Sequence, residues 1–301
     1  MSSNYWPKRL FKNIQEIVHT LVLLSKRYSD VSVLLNIVWL PFELLRRYCF
    51  KLGIDLKLPF IPLPIKLPRG SVVIWRLKTG LGVFGLLRDI WVYEEYGLPK
   101  EFQHRGWKPY VVIDGGAHVG IYSLYAAKVL NANYIVAIEP ENENFRLLLL
   151  NLIKNKVRGI YLKVALYRDG IVKLKKDLAS VAHSIVAKPK KPCGIESVRS
   201  ISLRTLVKLL RTYHNIEQID ILKLDVEGVE TILLKDSLDL LKSHEICLLL
   251  IDLTDVLRIH GLAEAKKLIE LLLSIGYRVK IRRVGEQEVV LIATSLQCIG
   301  P

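Results

Sequence analysis

Residues 111–120 read VVIDGGAHVG. Three β-branched residues, Val111, Val112 and Ile113, run into Asp114. Gly115, Gly116 and Gly120 follow, and then the helix-like stretch IYSLYAAKVL (121–130). A buried strand, a Gly-rich turn and a helix N-terminus in succession predict a βα unit of an α/β sheet with a nucleotide-like ligand at the turn. Glycines at such a turn let the backbone approach the ligand closely.

The spacing narrows the choice of ligand. A G-x-G-x-x-G fingerprint starting at Gly115 needs glycine where Ala117 stands, and no G-x-x-x-x-G-K-[ST] loop occurs anywhere in the chain. What remains is Asp114-x-Gly116-x-x-x-Gly120. That pattern is similar to the turn of S-adenosylmethionine-dependent methyltransferases of the Rossmann-like class.

Later segments extend the pattern. Residues 134–140, YIVAIEP, are a second apolar run ending in an acid, Glu139, followed by Pro140. An acid at this place in such a sheet can accept hydrogen bonds from ribose hydroxyls. ENENFRLLLLNL (141–152) predicts a helix capped by Asn142 or Asn144, with Leu147, Leu148 and Leu150 on its apolar face. YLKVALYRDGIVKLKKD (161–177) predicts a hairpin turning at Asp169-Gly170. In ILKLDVEGVE (221–230) a strand again ends in an acid, Asp225, with Glu227, Gly228 and Glu230 close behind.

These segments together resemble the FkbM-type methyltransferases. The resemblance rests on VVIDGGAHVGIYSLYAA, AIEPENENFRLLLLNL, SISLRTLV (200–207) and LKLDVEGVE, in that order, and spans about residues 72–295. It implies a class I methyltransferase fold that uses S-adenosylmethionine, with members that mostly methylate hydroxyl oxygens, often on sugars or polyketides. The chain departs from the family pattern at His118, where Asn is usual, and at IDL (251–253), where an acid, an aliphatic residue and His are usual. The first departure is compatible with cofactor binding, and the second puts in doubt any role carried by that strand end.

The remaining fold follows from pattern. EICLLLIDL (245–253) is a continuous apolar run that predicts a buried strand. AEAKKLIELLLSIGY (263–277) predicts an amphipathic helix ended by Gly276. RVKIRRV and EVVLIATS predict a hairpin around Gly285-Glu286. The expected architecture is α/β: a Rossmann-like, seven-stranded, mostly parallel sheet with a terminal antiparallel hairpin, over residues 71–301. Residues 1–70 are expected to form a basic, apolar helical extension ending in the Pro-rich stretch LPFIPLPIKLPRG (58–70).

Composition limits the partners. The 301 residues carry a net charge of +15 and a mean hydropathy of +0.28. Three sources of that charge stand side by side: nucleic acid, a membrane surface, and a thermophile-like surface rich in Lys and Arg with little Met and Gln. Nucleic acid is disfavoured because the chain shows no RNA-binding module and no Asn/Asp-Pro-Pro-aromatic box. Up to residue 70 there are eleven basic and four acidic side chains. The apolar, helix-like segments within residues 10–54 suit peripheral contact with a membrane, while packing on the catalytic domain or on a partner subunit is the slightly favoured alternative. Their uncharged stretch is too short to span a bilayer, and no cleavable leader pattern begins the chain. A cytoplasmic protein is expected, free or peripheral at the inner membrane face, with self-association left open. Cys49, Cys193, Cys247 and Cys298 lie far apart without any C-x-x-C. They suggest neither a zinc knuckle nor a disulfide framework, fit a reducing compartment, and read as buried apolar fillers.

The chemistry points to a short set of residues. Asp114, Gly116, Ala117, Gly120, Glu139 and Pro140 are the expected cofactor contacts, with Asp114 and the glycines at the amino-acid moiety and Glu139 at the ribose. A hydroxyl acceptor needs its proton removed. Asp225, at a strand's carboxyl end, is the first candidate base, followed by Glu227 and by His183 in SVAHSIV. Asp225 and Glu227 could also share a divalent cation through oxygen ligands. Glu230 is offset enough to be structural. His118 is expected to shape its turn. Trp91, Tyr93, Glu94 and Tyr96 are candidates for lid contacts over the cofactor. AKPKKPCG (187–194) is expected to be a basic surface loop. The expected activity is O-methylation of a hydroxyl on a sugar, glycan or related metabolite. An RNA methyltransferase and a non-catalytic membrane-associated scaffold for glycan assembly are the alternatives.

Overall fold

The computed structural model describes residues 5–29, 62–67, 70–75, 82–177, 183–189, 192–284 and 288–299. The chain divides into two compact units, Met1–Tyr93 and Glu94–Pro301. The first holds helix α1 (Tyr5–Tyr28), strands β1 (Pro62–Leu67) and β2 (Gly70–Trp75), helix α2 (Gly82–Leu86) and a π-helical turn, Leu87–Val92. The Pro-rich stretch expected to close the extension thus contributes β1, which pairs antiparallel with β2. Its prolines are tolerated because a two-stranded ribbon leaves half of its backbone donors unpaired. In α1, Ile17, Leu21 and Leu24 are buried at i, i+4 and i+7, one apolar face of the helix. The rest of the stretch considered for membrane contact, residues 30–54, lies outside the described residues. Among the described residues no helix is long and apolar enough to cross a membrane.

The second unit holds α3 (Lys100–His104), β3 (Val111–Gly115), α4 (Ile121–Lys128), β4 (Tyr134–Ile138), α5 (Asn142–Lys154), β5 (Gly159–Leu162), β6 (Ala165–Tyr167), β7 (Gly170–Asp177) and β8 (Pro192–Ser202). It continues through α6 (Leu203–His214), β9 (Ile219–Leu224), α7 (Glu230–Lys235), α8 (Leu238–Lys242), β10 (Ile246–Asp252), α9 (Leu253–Ser274), β11 (Tyr277–Val284), β12 (Glu288–Ser295) and α10 (Leu296–Ile299). Seven strands form one sheet in the order β11-β12-β10-β9-β3-β4-β5. β10, β9, β3, β4 and β5 run parallel, while β12 pairs antiparallel with both β10 and β11. This is the expected sheet with its terminal hairpin. The chain order reverses between β3 and β9, and a ligand crevice opens beyond the strand ends at such a reversal.

Both faces of the sheet are covered, which explains the unbroken apolar runs. One set of alternate residues, including Val111, Ile113, Leu222, Leu224, Leu249 and Ile251, packs in one cluster with side chains of α6, α7, α8 and α9. The intervening positions, Val112, Asp114, Ile221 and Lys223, face the other way, and all four are buried. Ser202 caps α6 by accepting from Thr205 N, and Leu203, Leu206, Val207 and Leu210 bury its apolar stripe.

Three sequence expectations are corrected here. Residues 161–177 do not form a simple hairpin. β8 lies between β6 and β7 in a separate three-stranded sheet, parallel to β6 and antiparallel to β7. Asp169, expected to make the turn, has its carboxylate bonded to Ser202 N and Oγ and to Thr205 Oγ1 at the start of α6. The cap of α5 is Glu141, whose carboxylate accepts from Asn144 N at 2.8 Å, and not Asn142 or Asn144. The cysteines are not all isolated fillers: Cys247 in β10 and Cys298 in α10 form a disulfide across 51 positions. Cys193 is free and exposed, and Cys49 lies outside the described residues.

Candidate functional site

The turn after β3 is built on three left-handed residues, Gly116 (φ 73°), His118 (φ 50°) and Gly120 (φ 84°). A left-handed non-Gly residue favours Asn, Asp or His, so His118 at the place where Asn is usual keeps the same backbone. The turn is tied down from outside: Gly116 N and Ala117 N both donate to Ile138 O, at 3.1 and 2.9 Å. Gly120 precedes α4 and gives that helix N-terminus no side-chain cap. Gly116 also has no room for a side chain, because a Cβ there would meet Asp225 O at 1.8 Å.

Asp114 and Asp225 end neighbouring strands, and one lysine joins them. Lys223 pairs in register with Asp114. Its Nζ lies 3.1 Å from Asp114 Oδ1, 3.3 Å from Asp225 Oδ2 and 2.9 Å from Gly116 O. Burial alone would lower this ammonium's pKa; the two carboxylates more than offset that and hold it above the usual lysine value. Asp114 is fully buried, and its second oxygen accepts from Ser123 Oγ at 2.6 Å. Both of its oxygens are thus engaged inside the protein, so its contribution to a ligand runs through the shape of the turn. Asp225 remains 29% exposed. Burial raises its pKa, and Lys223 opposes that rise.

The residues after Asp225 form a fully braced loop. Asp225 N donates to Gly115 O, and Ser184 Oγ donates to Glu227 O. His260 Nε2 contacts Gly228 O at 2.7 Å. Glu230 Oε1 accepts from Val226 N and Gly228 N, so Glu230 is structural, as its offset suggested. This bracing holds Glu227 in a left-handed conformation, φ 56°, a strained state for a non-glycine residue of the kind that functional sites store. Arg258 bridges Asp255 Oδ1, at 2.6 Å, to Glu227 Oε2, at 3.4 Å. Burial, and then the facing Asp255, push the Glu227 carboxyl well above the usual carboxylate range, so it carries a proton at neutral pH. Asp252 caps α9 by accepting from Thr254 N; burial and the nearby Asp225 raise it in the same way. A basic chain therefore presents an acidic strand end here.

Glu139 ends β4 beside the turn. Its Oε2 accepts from His118 N, and its Oε1 accepts from Glu141 N, both at 2.9 Å. Burial pushes it up to about 7 against those hydrogen bonds. Pro140 is half-buried beside it, and Ala117 is buried within the turn. Burial lowers His118 to about 3, so its imidazole is neutral at physiological pH. His183 does not join the carboxylates of the Asp225 end. Its Nδ1 accepts from Asp177 N in the segment that also brings Lys176 to Glu141 at 2.5 Å.

Asp225 and Glu227 each face a basic side chain, Lys223 or Arg258. Among the described residues no group of three or more His, Cys, Asp or Glu side chains is placed to hold a metal ion. The donor set does not fit the divalent cation considered from sequence. The proposed lid residues are divided between the units. Trp91 is fully buried, with its carbonyl accepting from Tyr28 Oη, and so packs a core. Tyr96 is also buried, with its ring 5.4 Å from Lys223 Nζ. Sequence reasoning missed Lys223, Asp255 and Arg258. Lys223 left a signal, since a single lysine inside a buried strand needs a carboxylate partner.

Comparison with known proteins bears on this geometry. Residues 114–279 match the methyltransferase FkbM domain family. Among solved structures, the METTL16 methyltransferase domain is 17% identical with a TM-score of 0.41, covering 69% of this chain and 67% of that one. The methyltransferase FkbM from Methylobacillus flagellatus KT is 14% identical with a TM-score of 0.42; the match covers 71% of this chain but only 54% of that one. TrmK of M. capricolum, solved with S-adenosyl-homocysteine, is 12% identical with a TM-score of 0.37, covering 62% of each chain. No curated protein matches. With more than half of its length in the matched region, which contains both strand ends described above, this chain belongs to the FkbM methyltransferase family.

Proposed function

We propose that the protein transfers a methyl group from S-adenosylmethionine to a hydroxyl of a neutral acceptor, a sugar or glycan. The observation that carries this reading is the position of Asp225. It is a partly exposed carboxylate whose backbone touches the glycine turn, at the strand-order reversal where ligands bind. The residues present fit the cofactor: a glycine turn of three left-handed residues leading into a helix N-terminus without a side-chain cap, and a buried carboxylate one strand over. The α4 N-terminus and the turn would take the amino-acid end, and Glu139 the ribose hydroxyls. When bound, the cofactor would supply an electrophilic methyl carbon on a sulfonium, with the neutral thioether as the leaving group.

The protein's own part is orientation and proton removal. Holding the acceptor oxygen against the methyl carbon supplies a large share of the rate. Asp225 Oδ1 accepts the hydroxyl proton, while Oδ2 stays with Lys223. Glu227, protonated, acts as a hydrogen-bond donor to acceptor hydroxyls. RNA draws support from the net charge of +15, but the carboxylates at this strand end oppose a phosphate chain there. Peripheral membrane contact would bring the protein to lipid-linked glycans, and the N-terminal charge supports it. The test is calorimetric titration of S-adenosylmethionine into the wild type and Glu139→Ala, followed by a labelled-methyl screen of glycans and RNA. Micromolar binding weakened at least tenfold in the variant is expected. A folded wild type that binds no cofactor overturns the reading, and methylation of RNA alone transfers it to the rival acceptor.

A further inference from the structure

Lys223 Nζ is enclosed by acceptors: it donates to backbone carbonyls of the turn and pairs with two carboxylates. An ammonium has three donors, and Asp114 Oδ1, Gly116 O and Asp225 Oδ2 lie within 3.3 Å of Nζ, with Gly115 O at 3.4 Å. Its side chain is 3% exposed, and the rings of Tyr96 and Tyr122 lie 5.4 and 6.0 Å away. It therefore reaches no substrate. Its partners, however, belong to two different functional segments. Asp114 and the two glycine carbonyls form the cofactor turn, and Asp225 is the proposed base. Asp225 N also donates to Gly115 O at 3.1 Å, directly beside the ammonium, so a backbone link joins the two segments at the same place.

We infer that Lys223 is a positioning residue that clamps the cofactor turn to Asp225, fixing the carboxylate's orientation and balancing its charge next to the methyl donor. This rests on the methyltransferase reading of the site. A cation serving only to neutralise Asp114 would need neither Asp225 nor the glycine carbonyls. With the clamp in place, Asp225 presents one free oxygen and the turn keeps the shape the ligand requires. Without it, Asp225 would stand as an uncompensated negative charge beside the turn proposed to hold the cofactor.

S-adenosylmethionine and S-adenosylhomocysteine separate these roles, since they differ by one methyl and one positive charge at sulfur. Calorimetric affinities for both are measured on the full chain as wild type, Lys223→Arg, Lys223→Met and Asp114→Asn/Lys223→Met. The double variant removes the buried carboxylate that would otherwise be stranded, and keeps the test open if Lys223→Met does not fold. An unbalanced Asp225 should move the affinity ratio three- to tenfold toward the sulfonium ligand in both Met variants. Lys223→Arg should keep the wild-type ratio, and adding Asp225→Asn to Lys223→Met should restore it. Equal losses for both ligands, with the ratio within twofold of wild type, would overturn the inference while leaving the cofactor reading intact. A wild type that binds neither ligand removes both.

Discussion

The ends of β3 and β9 are written alike and built differently. Each is an apolar strand that closes on an aspartate and turns through glycine. At β3 the aspartate is fully buried, shared between Lys223 and Ser123, and the turn beyond it leads into a helix without a side-chain cap. At β9 the aspartate keeps one side toward solvent, and the loop beyond it is braced at Asp225, Val226, Glu227 and Gly228. One end encloses its acid; the other leaves its acid partly open and braces the backbone beyond it. The difference teaches that an acid at a strand end is structural or chemical according to what surrounds it, and that a site can be assembled by pairing one of each.

The sharpest way to break the pairing is at the contact between the two turns. Gly116→Ala places a methyl group against Asp225 O in a left-handed conformation, and neither backbone can retreat cheaply. A loss on the order of 4 kcal/mol or more is expected in a denaturant melt, together with loss of cofactor binding. Gly120→Ala is the control, because its nearest neighbour, Leu152, is 3.5 Å away; it should lose only about 1 kcal/mol for the left-handed backbone. Similar losses for the two would contradict the close approach.

The two aspartates should part company next. Asp114→Asn strands a buried ammonium from its main partner and should lower stability by about 3 kcal/mol. Asp225→Asn, on a partly exposed pair, should change stability by about 1 kcal/mol or less, yet slow methyl transfer about a hundredfold. Melts and single-turnover rates on both variants decide the matter, and a reversed pattern would assign the chemistry to the other strand end.

The smallest effect is one of pH. Glu139 has its folded-state pKa raised to about 7, so the folded protein binds this proton more readily than the unfolded chain does. Its contribution to stability is complete below the ordinary glutamate pKa and is lost as pH rises through about 7. Urea midpoints between pH 5 and 8 should therefore fall more steeply for wild type than for Glu139→Gln, by an amount on the order of 1–2 kcal/mol. The slope carries the information, because the amide also disturbs the hydrogen bonds from His118 N and Glu141 N. Parallel slopes would show that those bonds cancel the burial.

The sequence was most legible where local chemistry and global fold agree. The strand-turn-helix at 111–128, the buried run of β10 and the final hairpin each follow from burial on two sheet faces or from Gly-marked turns. Legibility failed where a side chain reaches far along the chain. Asp169 looks like a hairpin turn until its carboxylate is seen on Ser202 and Thr205. Glu141 displaces two better-known cap residues because the strand end delivers it to Asn144 N. Within the site, the strand-end acids could be named from pattern, but not which of them would be enclosed. The clamp needed the register of β3 against β9, which no single segment contains.

The disulfide between Cys247 and Cys298 has a topological meaning as well as an energetic one. It closes a covalent ring that holds most of β10 and all of α9, β11 and β12. The turn joining the last two strands lies inside that ring. A peptide bond broken there by a protease would open the ring without freeing either strand, and the terminal hairpin could not peel away from the sheet edge like an ordinary chain end. The last hairpin of the sheet is thus part of a closed loop in connectivity, although it lies late in the sequence.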